Sequence, residues 1–528
     1  MGDRTAQGRR GRPPGRLPWK SKLGYGVIGL AVIGNAMVTT WQLFFFTTFA
    51  GMNVALAGLI VATGQIVAAL VAPAWGYLSD RLYLFRLGRK IGRRRLTLLL
   101  AAPGLFIFNV VQFVAGLPVW AYAVANFLYW AFEAGFATVR YILPAEMTDD
   151  PAQRAQLVGI NQISSAVSSI GVSAVSAALF ALWGDRVWTT YLRLDSIYAV
   201  AMLSLLIAGL PAIPEQPMGE KNDFSRVDAA GEKGRMGPLT RLKLVAWNHL
   251  SAFSLKEFRN YLGMYLSQFL FRSVRGATLT YFLVFVLGLR ASEVSISQGL
   301  SFLVGIGLVA FFMWLNTKIG GTRAYRAAAI EAIAVFAALF VLAKVHGALG
   351  HGLTVTAWIA LALALNVGVT GVVNSTDLAY SFIPDVDEML TGKRREGQFA
   401  SINSTIGNLF NALSSIAITG VLAASGFVEG AVSQPANVVS LIAAVFCLVP
   451  IAFCLLGIFF SFRVHLDEGT RARLSAEIAR LRAGGSKADA TPEARALAEE
   501  LTGYGYDKCW GDNRVISYNG KRPVTPPR

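Results

Sequence analysis

Long apolar stretches alternate with short polar segments along almost the whole chain. Most of these stretches approach the roughly 20 residues that an α-helix needs to cross the hydrocarbon core of a bilayer. They are too long and too continuously apolar to be the alternating strands of a membrane β-barrel. The pattern therefore predicts an all-α membrane protein with about twelve spanning helices. The predicted helices cover residues 24–49, 54–79, 96–115, 118–142, 157–183, 190–212, 260–288, 293–316, 324–344, 353–383, 399–425 and 436–462.

The composition agrees with lipid rather than water as the main surroundings of the chain. Of the 528 residues, 54% are hydrophobic and 15% are charged, whereas the surface of a water-soluble protein of this length needs more charge. The net charge of +17 does not indicate nucleic-acid binding, because the basic residues form short clusters between apolar stretches. We therefore expect the lipid bilayer, and no nucleic acid, as a partner.

The basic clusters predict which side of the membrane each loop faces. They follow predicted helices 2, 8 and 10, whereas the turns after helices 1 and 3 contain no Lys or Arg. Since cytoplasmic loops retain Lys and Arg, we expect both termini in the cytoplasm and the chain in a bacterial inner membrane. The predicted organisation is a basic tail at 1–22, a six-helix half at 23–212, a cytoplasmic linker at 213–258, a second six-helix half at 259–463 and a cytoplasmic tail at 464–528.

Sequence repetition supports a duplicated architecture. The segment SSIGVSAVSAA at 168–178 has a counterpart in SSIAITGVLAA at 414–424, at the corresponding position of the second half. This correspondence predicts two pseudosymmetric halves. The C-terminal tail contains TRARLSAEIARLRAGG, which predicts a short amphipathic helix followed by a mobile end. That helix either lies on the membrane surface or is surrounded by water.

Charged clusters at the predicted helix ends are candidates for a gate. Opposite charges there can form charge-assisted hydrogen bonds that break when helices separate, although the same clusters could serve only as topology determinants. The first-half candidates are Gly76, Asp80, Arg81, Arg89, Arg93 and Arg94, with Glu146 and Arg154 in the loop before helix 5. We expect the Asp80/Arg89 and Glu146/Arg154 clusters, together with their second-half counterparts, to act as latches. The second-half candidates are Asp387, Glu388, Lys393, Arg394, Arg395, Glu396 and Gly397.

Four sequence motifs resemble those of a known family. They are KLGYG at 22–26, FFFTTFAG at 44–51, GYLSDR at 76–81 with the following GRRR, and DEMLTGKRREG at 387–397. Over roughly residues 20–462 the chain resembles the glycoside–pentoside–hexuronide:cation symporters. The resemblance implies a twelve-helix major facilitator bundle of two pseudosymmetric six-helix halves around a central cavity. It also implies secondary transport of sugars or glycosides, usually with a cation, although some eukaryotic relatives carry lysolipids.

The chain departs from that family at four positions that are usually charged. Two acids typical of helix 2 fall on Ala68 and Ala72, an Arg early in helix 5 falls on Asn161, and a Lys in helix 11 falls on Asn408. The joint loss of these charges argues against sodium coupling and favours the proton as the coupling cation. We expect no other cofactor and no metal.

Other polar residues within the predicted helices are candidates for substrate binding or coupling. Charges inside a membrane face an aqueous cavity or one another, and amides pair well with sugar hydroxyls. The candidates are Glu133, Arg140, Arg272, Arg275, Asp377, Gln65, Asn161, Gln162, Asn403 and Asn408. Glu133 either carries a coupling proton or braces the bundle by pairing with Arg140. Arg272 and Arg275 either attract an acidic substrate such as a uronate or form structural pairs, and the amides could equally bridge helices.

The sequence shows no motif of a nucleotide-binding or hydrolytic enzyme. We therefore expect a monomeric secondary active transporter, symporter-like, that moves a sugar, glycoside or uronate-like solute by rocking of its halves, with protons at Glu133 or Asp377. Two alternatives remain open. One is a transporter of an amphiphilic, lysolipid-like or other non-sugar solute. The other is a non-transporting membrane receptor or scaffold that retains the fold.

Overall fold

The computed structural model describes residues 17–82, 85–148, 151–214, 247, 250–393, 395–466, 468–513 and 515. Within these ranges the regular structure is helical. The first eight helices are α1 (Trp19–Leu30), α2 (Ala36–Thr48), α3 (Val54–Arg81), α4 (Arg86–Ile91), α5 (Arg93–Val111), α6 (Val119–Met147), α7 (Pro151–Trp183) and α8 (Trp188–Gly209). The next eight are α9 (Lys256–Tyr281), α10 (Ala291–Ile319), α11 (Gly321–Leu349), α12 (His351–Thr391), α13 (Glu396–Ala424), α14 (Ala436–Ser461), α15 (Glu468–Arg482) and α16 (Pro492–Thr502). Most of the predicted linker and residues 1–16 lie outside the described residues.

Eleven of the helical stretches are long and apolar enough to cross a membrane. One of them joins α1 and α2 through a 3-10 turn at Ala31–Asn35. Helix α6 is not among the eleven, since Asn126, Glu133 and Arg140 lower the hydropathy of its middle. It nevertheless runs along α5 over much of its length. The eleven stretches and α6 together correspond to the segments that the apolar pattern predicts.

The described residues divide into two compact units. The first takes its residues from Met1–Ala50 and Thr63–Gly231, and the second from Gly51–Ala62 and Glu232–Arg528. In the first unit, α1 packs on α7 and α8, and α5 packs on α6 and α8. An apolar cluster that includes Trp41, Phe180 and Tyr191, with ring centroids 5.0–5.7 Å apart, fills part of its core.

In the second unit, α11 packs on α12 and α14, while α9 contacts α12, α13 and α14. Small residues permit these close approaches. A Cβ atom added at Gly457 of α14 would lie 2.0 Å from the Tyr325 hydroxyl oxygen of α11, so only glycine fits there. A π-turn at Phe282–Val286 closes α9, and the Phe282 ring stacks on Phe446 of α14 at 4.2 Å.

Helix α12 continues well past its predicted apolar stretch. It ends only at Gly392, whose φ of 67° is a left-handed conformation that glycine adopts without strain. Asp387 and Glu388 therefore lie on the last turns of a helix rather than in a loop. This extension carries the second-half gating candidates away from the middle of the bundle.

The C-terminal tail packs on the second unit over its described residues, whereas residues 516–528, the last part of the expected mobile end, lie outside them. Helices α15 and α16 contact each other and α12, and they bury Leu474, Ile478, Leu481 and Leu501. The apolar face of α15 is thus turned onto the protein, while its other face, which includes Arg473 and Ser475, is exposed. The reason is that α15 and α16 together cover apolar area that each would otherwise expose to water.

Polar contacts fix the tail at the end of α12. Arg482 of α15 donates from Nε and Nη2 to the two Glu388 carboxylate oxygens at 2.7 and 2.6 Å. The backbone N–H groups of Trp510 and Gly511 donate to the carbonyl oxygens of Met389 and Leu390 at 2.8 and 3.1 Å. Glu388 is 6% exposed, so water competes little with Arg482 for its carboxylate.

Replacing Arg482 with Ala should release the tail and expose Cys509. The Cys509 thiol is buried, and burial raises its pKa, so the docked tail should react slowly with a maleimide. Loss of the guanidinium removes two charge-assisted hydrogen bonds from the buried Glu388 carboxylate, which favours undocking. We expect several-fold faster labelling of Cys509, measured by mass spectrometry of the labelled peptide. The control is Arg473→Ala on the exposed side of α15, and equal labelling rates in the two variants would contradict tail release.

Candidate functional site

A buried polar group in the first unit links Glu133 to two neighbours. Glu133 lies in the middle of α6, and its Oε1 accepts a hydrogen bond from Asn35 Nδ2 at 3.3 Å. The Asn35 Oδ1 in turn accepts from the Tyr129 hydroxyl at 2.8 Å. Asn35 can make both bonds because it ends the 3-10 turn between α1 and α2. The Glu133 carboxyl is therefore hydrogen-bonded to an amide rather than to a cation.

Arg140 lies two turns from Glu133 on the same face of α6 but does not pair with it directly. No hydrogen bond or ion pair joins the two side chains in the described structure. The Arg140 guanidinium lies over the rings of Phe136 and Tyr141, 5.5 and 5.1 Å from their centroids, and its Nε has no hydrogen-bond partner. The interpretation of Glu133 and Arg140 as a direct structural brace therefore lacks the contact that it requires.

Asp195 of α8 is a buried acid that the sequence analysis missed. It is 0% exposed, and neither carboxylate oxygen has a hydrogen-bond partner among the described residues. The charges of Asp195 and Glu133 both act on the Tyr129 hydroxyl. The indication in the sequence was a single Asp within the apolar segment 190–212. It lies close to the start of that segment, where a charged residue is ordinary at a helix end.

A network of buried amides lies near these acids in the first unit. Gln42 of α2 donates to Asn126 of α6 at 2.8 Å and also to Gln112 at the end of α5. Asn109 donates to the carbonyl oxygen of Gly34 at 2.7 Å. Gln42 Oε1 and Asn109 Oδ1 are buried without a partner in the described structure, so this region holds acceptors that lack donors.

Helix α9 of the second unit carries a polar stripe. Tyr261, Tyr265, Gln268, Arg272 and Arg275 are spaced by four, three, four and three residues, which places them on one face of the helix. The rings of Tyr261 and Tyr265 lie 5.9 Å apart, and this aromatic pair extends the stripe toward the start of the helix. The sequence indicates the arginines of this stripe as candidates, but not its tyrosines or Gln268.

Helices α12 and α13 add polar groups beside this stripe. Asn403 donates to the Tyr261 hydroxyl at 2.7 Å and accepts, through its backbone oxygen, a bond from the Tyr265 hydroxyl at 3.1 Å. The Tyr380 ring of α12 lies 5.8 Å from that of Tyr261. Gln268 Oε1 and Asn403 Oδ1 are buried without a partner in the part of the chain that the structure describes.

The charges of this region do not balance. Asp377 of α12 acts electrostatically on Arg272, and both side chains are exposed within helices that span the membrane. Arg275 lies one turn further along α9, and the charge that acts on it is that of Arg272. Its Nε is buried without a hydrogen-bond partner in the described structure. Among the described residues, the Asp377 carboxylate thus acts on Arg272, and none acts on Arg275.

Gating candidates come together at one helix end in each unit. In the first, Arg93 Nη2 donates to Glu146 Oε1 at 2.7 Å, and Arg94 Nε donates to both oxygens of the same carboxylate at 3.0 Å. In the second, Arg395 Nε donates to Asp387 Oδ2 at 2.8 Å and Nη1 to Ser251 Oγ at 2.9 Å. Glu146 therefore bonds the basic cluster that begins α5, and the side chain of Arg154, the other member of its predicted cluster, lies outside the described residues.

The remaining sequence candidates occupy varied positions. Gln65 Oε1 and Asn161 Oδ1 are buried without a partner in the described residues, and Asn408 is half-buried in α13. Arg89 and Lys393 are exposed, and Gly76 lies within α3. The candidates that lie outside the described residues, at least as regards their side chains, are Asp80, Arg81, Arg154, Gln162, Arg394, Glu396 and Gly397. No group of His, Cys, Asp and Glu in the described part could hold a metal ion.

Comparison with known proteins identifies the class and then the family. The fold is that of major facilitator transporters: the solved structure of a D-xylose–proton symporter aligns with a TM-score of 0.54 at 13% identity, covering 84% of this chain and 97% of that one. Residues 23–468 match the family described as MFS/sugar transport protein. The chain belongs to this family, whose members are transporters rather than enzymes. The resemblance seen in the sequence motifs is thereby confirmed.

Two curated relatives are similar at the sequence level. An uncharacterized symporter of Synechocystis is 26% identical over 505 residues, which is 80% of this chain and 88% of the relative. The isoprimeverose transporter of Lactiplantibacillus pentosus is 26% identical over 175 residues, 32% of this chain. The match covers 35% of the length of the isoprimeverose transporter. The predictions of a multi-pass membrane protein with a sugar-type transporter fold are confirmed at this level.

Replacing Glu146 with Gln should destabilise the first unit. The side chains of Arg93, Arg94 and Glu146 are 3–16% exposed, so the substitution leaves two buried guanidinium groups without their shared carboxylate. Loss of one partner of a buried ion pair typically costs about 3–5 kcal/mol. We expect a clearly lower midpoint of thermal unfolding in detergent. The control is Glu500→Gln, whose ion pair with His465 is exposed, and equal midpoints in the two variants would contradict the prediction.

Proposed function

We propose that the protein is a proton-coupled secondary active transporter for a sugar, glycoside or uronate-like solute, and that it works by alternating access. Membership of the MFS/sugar transport family supports the solute class. The observation that carries the proposal is the set of buried polar groups without partners in the spanning helices of both units. Polar groups without partners are costly in a membrane, and they are expected where a solute or ion binds.

Proton rather than sodium coupling is supported by the chemistry of the first unit. Ala68 and Ala72 stand where the resembling family usually has the acids of a cation site. Glu133 is bonded to Asn35 and has no direct ion pair, so a proton can neutralise it when water is excluded. Asp377 is the second acid of this kind, but its side chain is exposed, whereas that of Glu133 is half-buried. We therefore favour Glu133 as the residue that carries the coupling proton.

The polar stripe of α9 suits a sugar ring that bears a carboxylate. Tyr261 and Tyr265 offer aromatic faces, and the unpartnered oxygens of Gln268 and Asn403 can accept hydrogen bonds from hydroxyl groups. Arg275 has no acidic partner in the described structure, and a carboxylate would provide one. A uronate is accordingly the solute that we would test first.

The paired clusters at the helix ends suit latches of the transport cycle. Glu146 with Arg93 and Arg94, and Asp387 with Arg395, lie at corresponding helix connections in the two halves of the sequence. The basic residues around both clusters indicate the cytoplasmic side of a bacterial plasma membrane, where the positive-inside rule places them. Both termini and the docked tail then lie in the cytoplasm.

A second candidate function follows from the docked tail. A firmly docked tail, held by bonds such as those between Arg482 and Glu388, suits a non-transporting receptor or scaffold that retains the fold. This function predicts that purified protein moves no solute. Transport of an amphiphilic solute would instead favour the hypothesis of a lysolipid-like transporter.

Uptake by proteoliposomes distinguishes these functions. The solutes are D-glucose, D-xylose, D-glucuronate and a lysophospholipid, each under an imposed proton gradient, an imposed sodium gradient or none. We expect accumulation of a sugar or uronate with the proton gradient only. Accumulation that follows sodium would refute proton coupling, lysophospholipid movement would favour the amphiphile hypothesis, and the absence of all transport would favour the scaffold.

Replacing Glu133 with Gln should separate coupling from transport. The amide cannot exchange a proton but can keep the bond with Asn35, so accumulation should be lost while exchange of solute across the membrane continues. Both rates are measured with radiolabelled solute in the same vesicles. The control is Glu293→Gln at the start of α10, whose side chain is 20% exposed and accepts a bond from the Arg290 backbone N–H. Undiminished accumulation in the Glu133 variant would show that another group carries the proton.

Replacing Arg275 with Gln should weaken the uptake of a uronate selectively. A hydrogen bond to a charged group contributes about 1.5–3 kcal/mol, so the KM for D-glucuronate should rise about tenfold or more. The KM for a neutral sugar should change little, because hydroxyl groups do not require the guanidinium. Arg259→Gln at the exposed start of α9 is the control. Equal changes for the charged and neutral solutes would argue that Arg275 is structural.

A further inference from the structure

Two arginines come together where α11 begins and α14 ends in the second unit. Arg326 of α11 lies over the Phe462 ring, with its guanidinium carbon 4.2 Å from the ring centroid. Arg463, in the turn that closes α14, lies over the Phe459 ring at 4.5 Å. Phe459 and Phe462 are three residues apart, so their rings are neighbours on one face of α14. The two guanidinium groups are therefore held close together on an aromatic surface.

These guanidinium groups keep most of their hydrogen-bonding capacity. Arg326 donates only from Nε, to the carbonyl oxygen of Thr322 at 3.3 Å, and the Arg463 side chain donates to no described residue. The corresponding connection of the first unit, where α5 packs on α8, is different. There Arg95 donates to the carbonyl oxygens of Pro211 and Ile213 just past the end of α8. The second unit thus leaves free the donors that the first unit uses internally.

Nearby acids do not compensate the positive charge. The segments 316–330 and 455–466, which form the two sides of the cluster, contain no Asp or Glu, and their Lys and Arg residues are Lys318, Arg323, Arg326 and Arg463. Glu257 of the neighbouring α9 accepts instead from the backbone N–H of His465. Glu331, further along α11, lies against Gly368 of α12. The cluster is therefore positive and open to an anion.

An apolar surface continues from the cluster along both helices. Phe459 and Phe462 are 50% and 63% exposed, and Leu455 on the next turn of α14 is 56% exposed. Ile330, one turn from Arg326 on α11, is 59% exposed. Both helices are long and apolar enough to span a membrane, so this surface suits acyl chains. Cations at the end of an apolar surface match an amphiphile with an anionic head.

We propose that Arg326 and Arg463 bind the phosphate of an anionic phospholipid whose acyl chains lie along α11 and α14. Guanidinium groups bind phosphate oxygens through paired N–H donors, and the two phenylalanine rings hold these groups in position. Anionic lipids concentrate in the cytoplasmic leaflet, where the positive-inside rule places the cluster. The bound lipid joins the ends of the two helices. The inference is independent of the transported solute and of the coupling ion.

Native mass spectrometry of the full-length protein measures this binding. Delipidated protein is titrated with dioleoyl-phosphatidylglycerol or with dioleoyl-phosphatidylethanolamine, which has the same chains but no net charge. We expect the wild type to prefer phosphatidylglycerol several-fold. The double variant Arg326→Gln/Arg463→Gln should bind phosphatidylglycerol about tenfold or more weakly, because it loses hydrogen bonds to a charged group. Equal binding of the two lipids by the wild type would overturn the proposal.

A matched control separates a site from diffuse attraction. The double variant Arg473→Gln/Lys508→Gln removes the same net charge from exposed positions of the tail and should bind both lipids as the wild type does. An equal loss in the two double variants would mean that net charge alone attracts the lipid, which refutes a site at α11 and α14. The chains are tested with sn-glycerol 3-phosphate, which carries the phosphate alone. Binding of this molecule as tight as that of phosphatidylglycerol would refute a lipid site.

Thermal unfolding in detergent gives a second readout. Phosphatidylglycerol should raise the midpoint of the wild type and of the tail control, because a ligand of the native state stabilises it, but not that of Arg326→Gln/Arg463→Gln. If this variant does not fold, Arg326→Lys keeps the charge but loses the paired donors and the stacking. It should bind phosphatidylglycerol several-fold more weakly than the wild type. Undiminished binding in Arg326→Lys would contradict the proposed geometry.

Discussion

The interior of a bilayer offers no water to a charged side chain, so each such side chain must find its partner within the protein or bind one. At the helix ends this requirement is met by the protein itself. Glu146 bonds both Arg93 and Arg94, and Asp387 bonds Arg395. Each carboxylate receives more than one N–H donor, which is the condition under which a buried pair is stable. These pairs hold the helix ends, and the arrangement of each unit depends on them.

The middle of the bundle shows the opposite condition. Glu133 is bonded to an amide, Asp195 to nothing in the described structure, and Arg275 has only another arginine as its charged neighbour. Groups in this state raise the free energy of the protein unless a partner arrives from outside. Under the proposed function, those partners are the proton in the first unit and the solute in the second. A buried charge without a partner is costly in free energy. At the helix ends the protein meets this cost with its own ion pairs, and in the middle of the bundle a bound proton or solute would meet it.

The sequence predicts the helices well because the thickness of the bilayer fixes the length of an apolar stretch. Its clustered charges indicate the gating candidates, but not which of them bond one another. Glu146 bonds the arginines that begin α5, and that choice depends on how α5 and α6 lie side by side. Asp195 and Gln268 were missed for a related reason. A single polar residue in an apolar segment usually forms a hydrogen bond between helices. A polar residue that binds a solute or ion looks the same in sequence, and only the structure shows that it is buried without a partner.

The end of α12 shows how a segment outside the bundle becomes part of its structure. Asp387 and Glu388 are neighbours in sequence, yet one bonds Arg395 in the following turn and the other bonds Arg482 in the tail. The sequence could not predict the second bond, because 94 residues separate its partners and the tail is too polar to indicate a core. Since both acids belong to the last turns of one helix, a movement of the α12 end must carry the tail with it or break the Arg482 bonds. The tail is therefore a part of the second unit in any transport cycle that keeps those bonds.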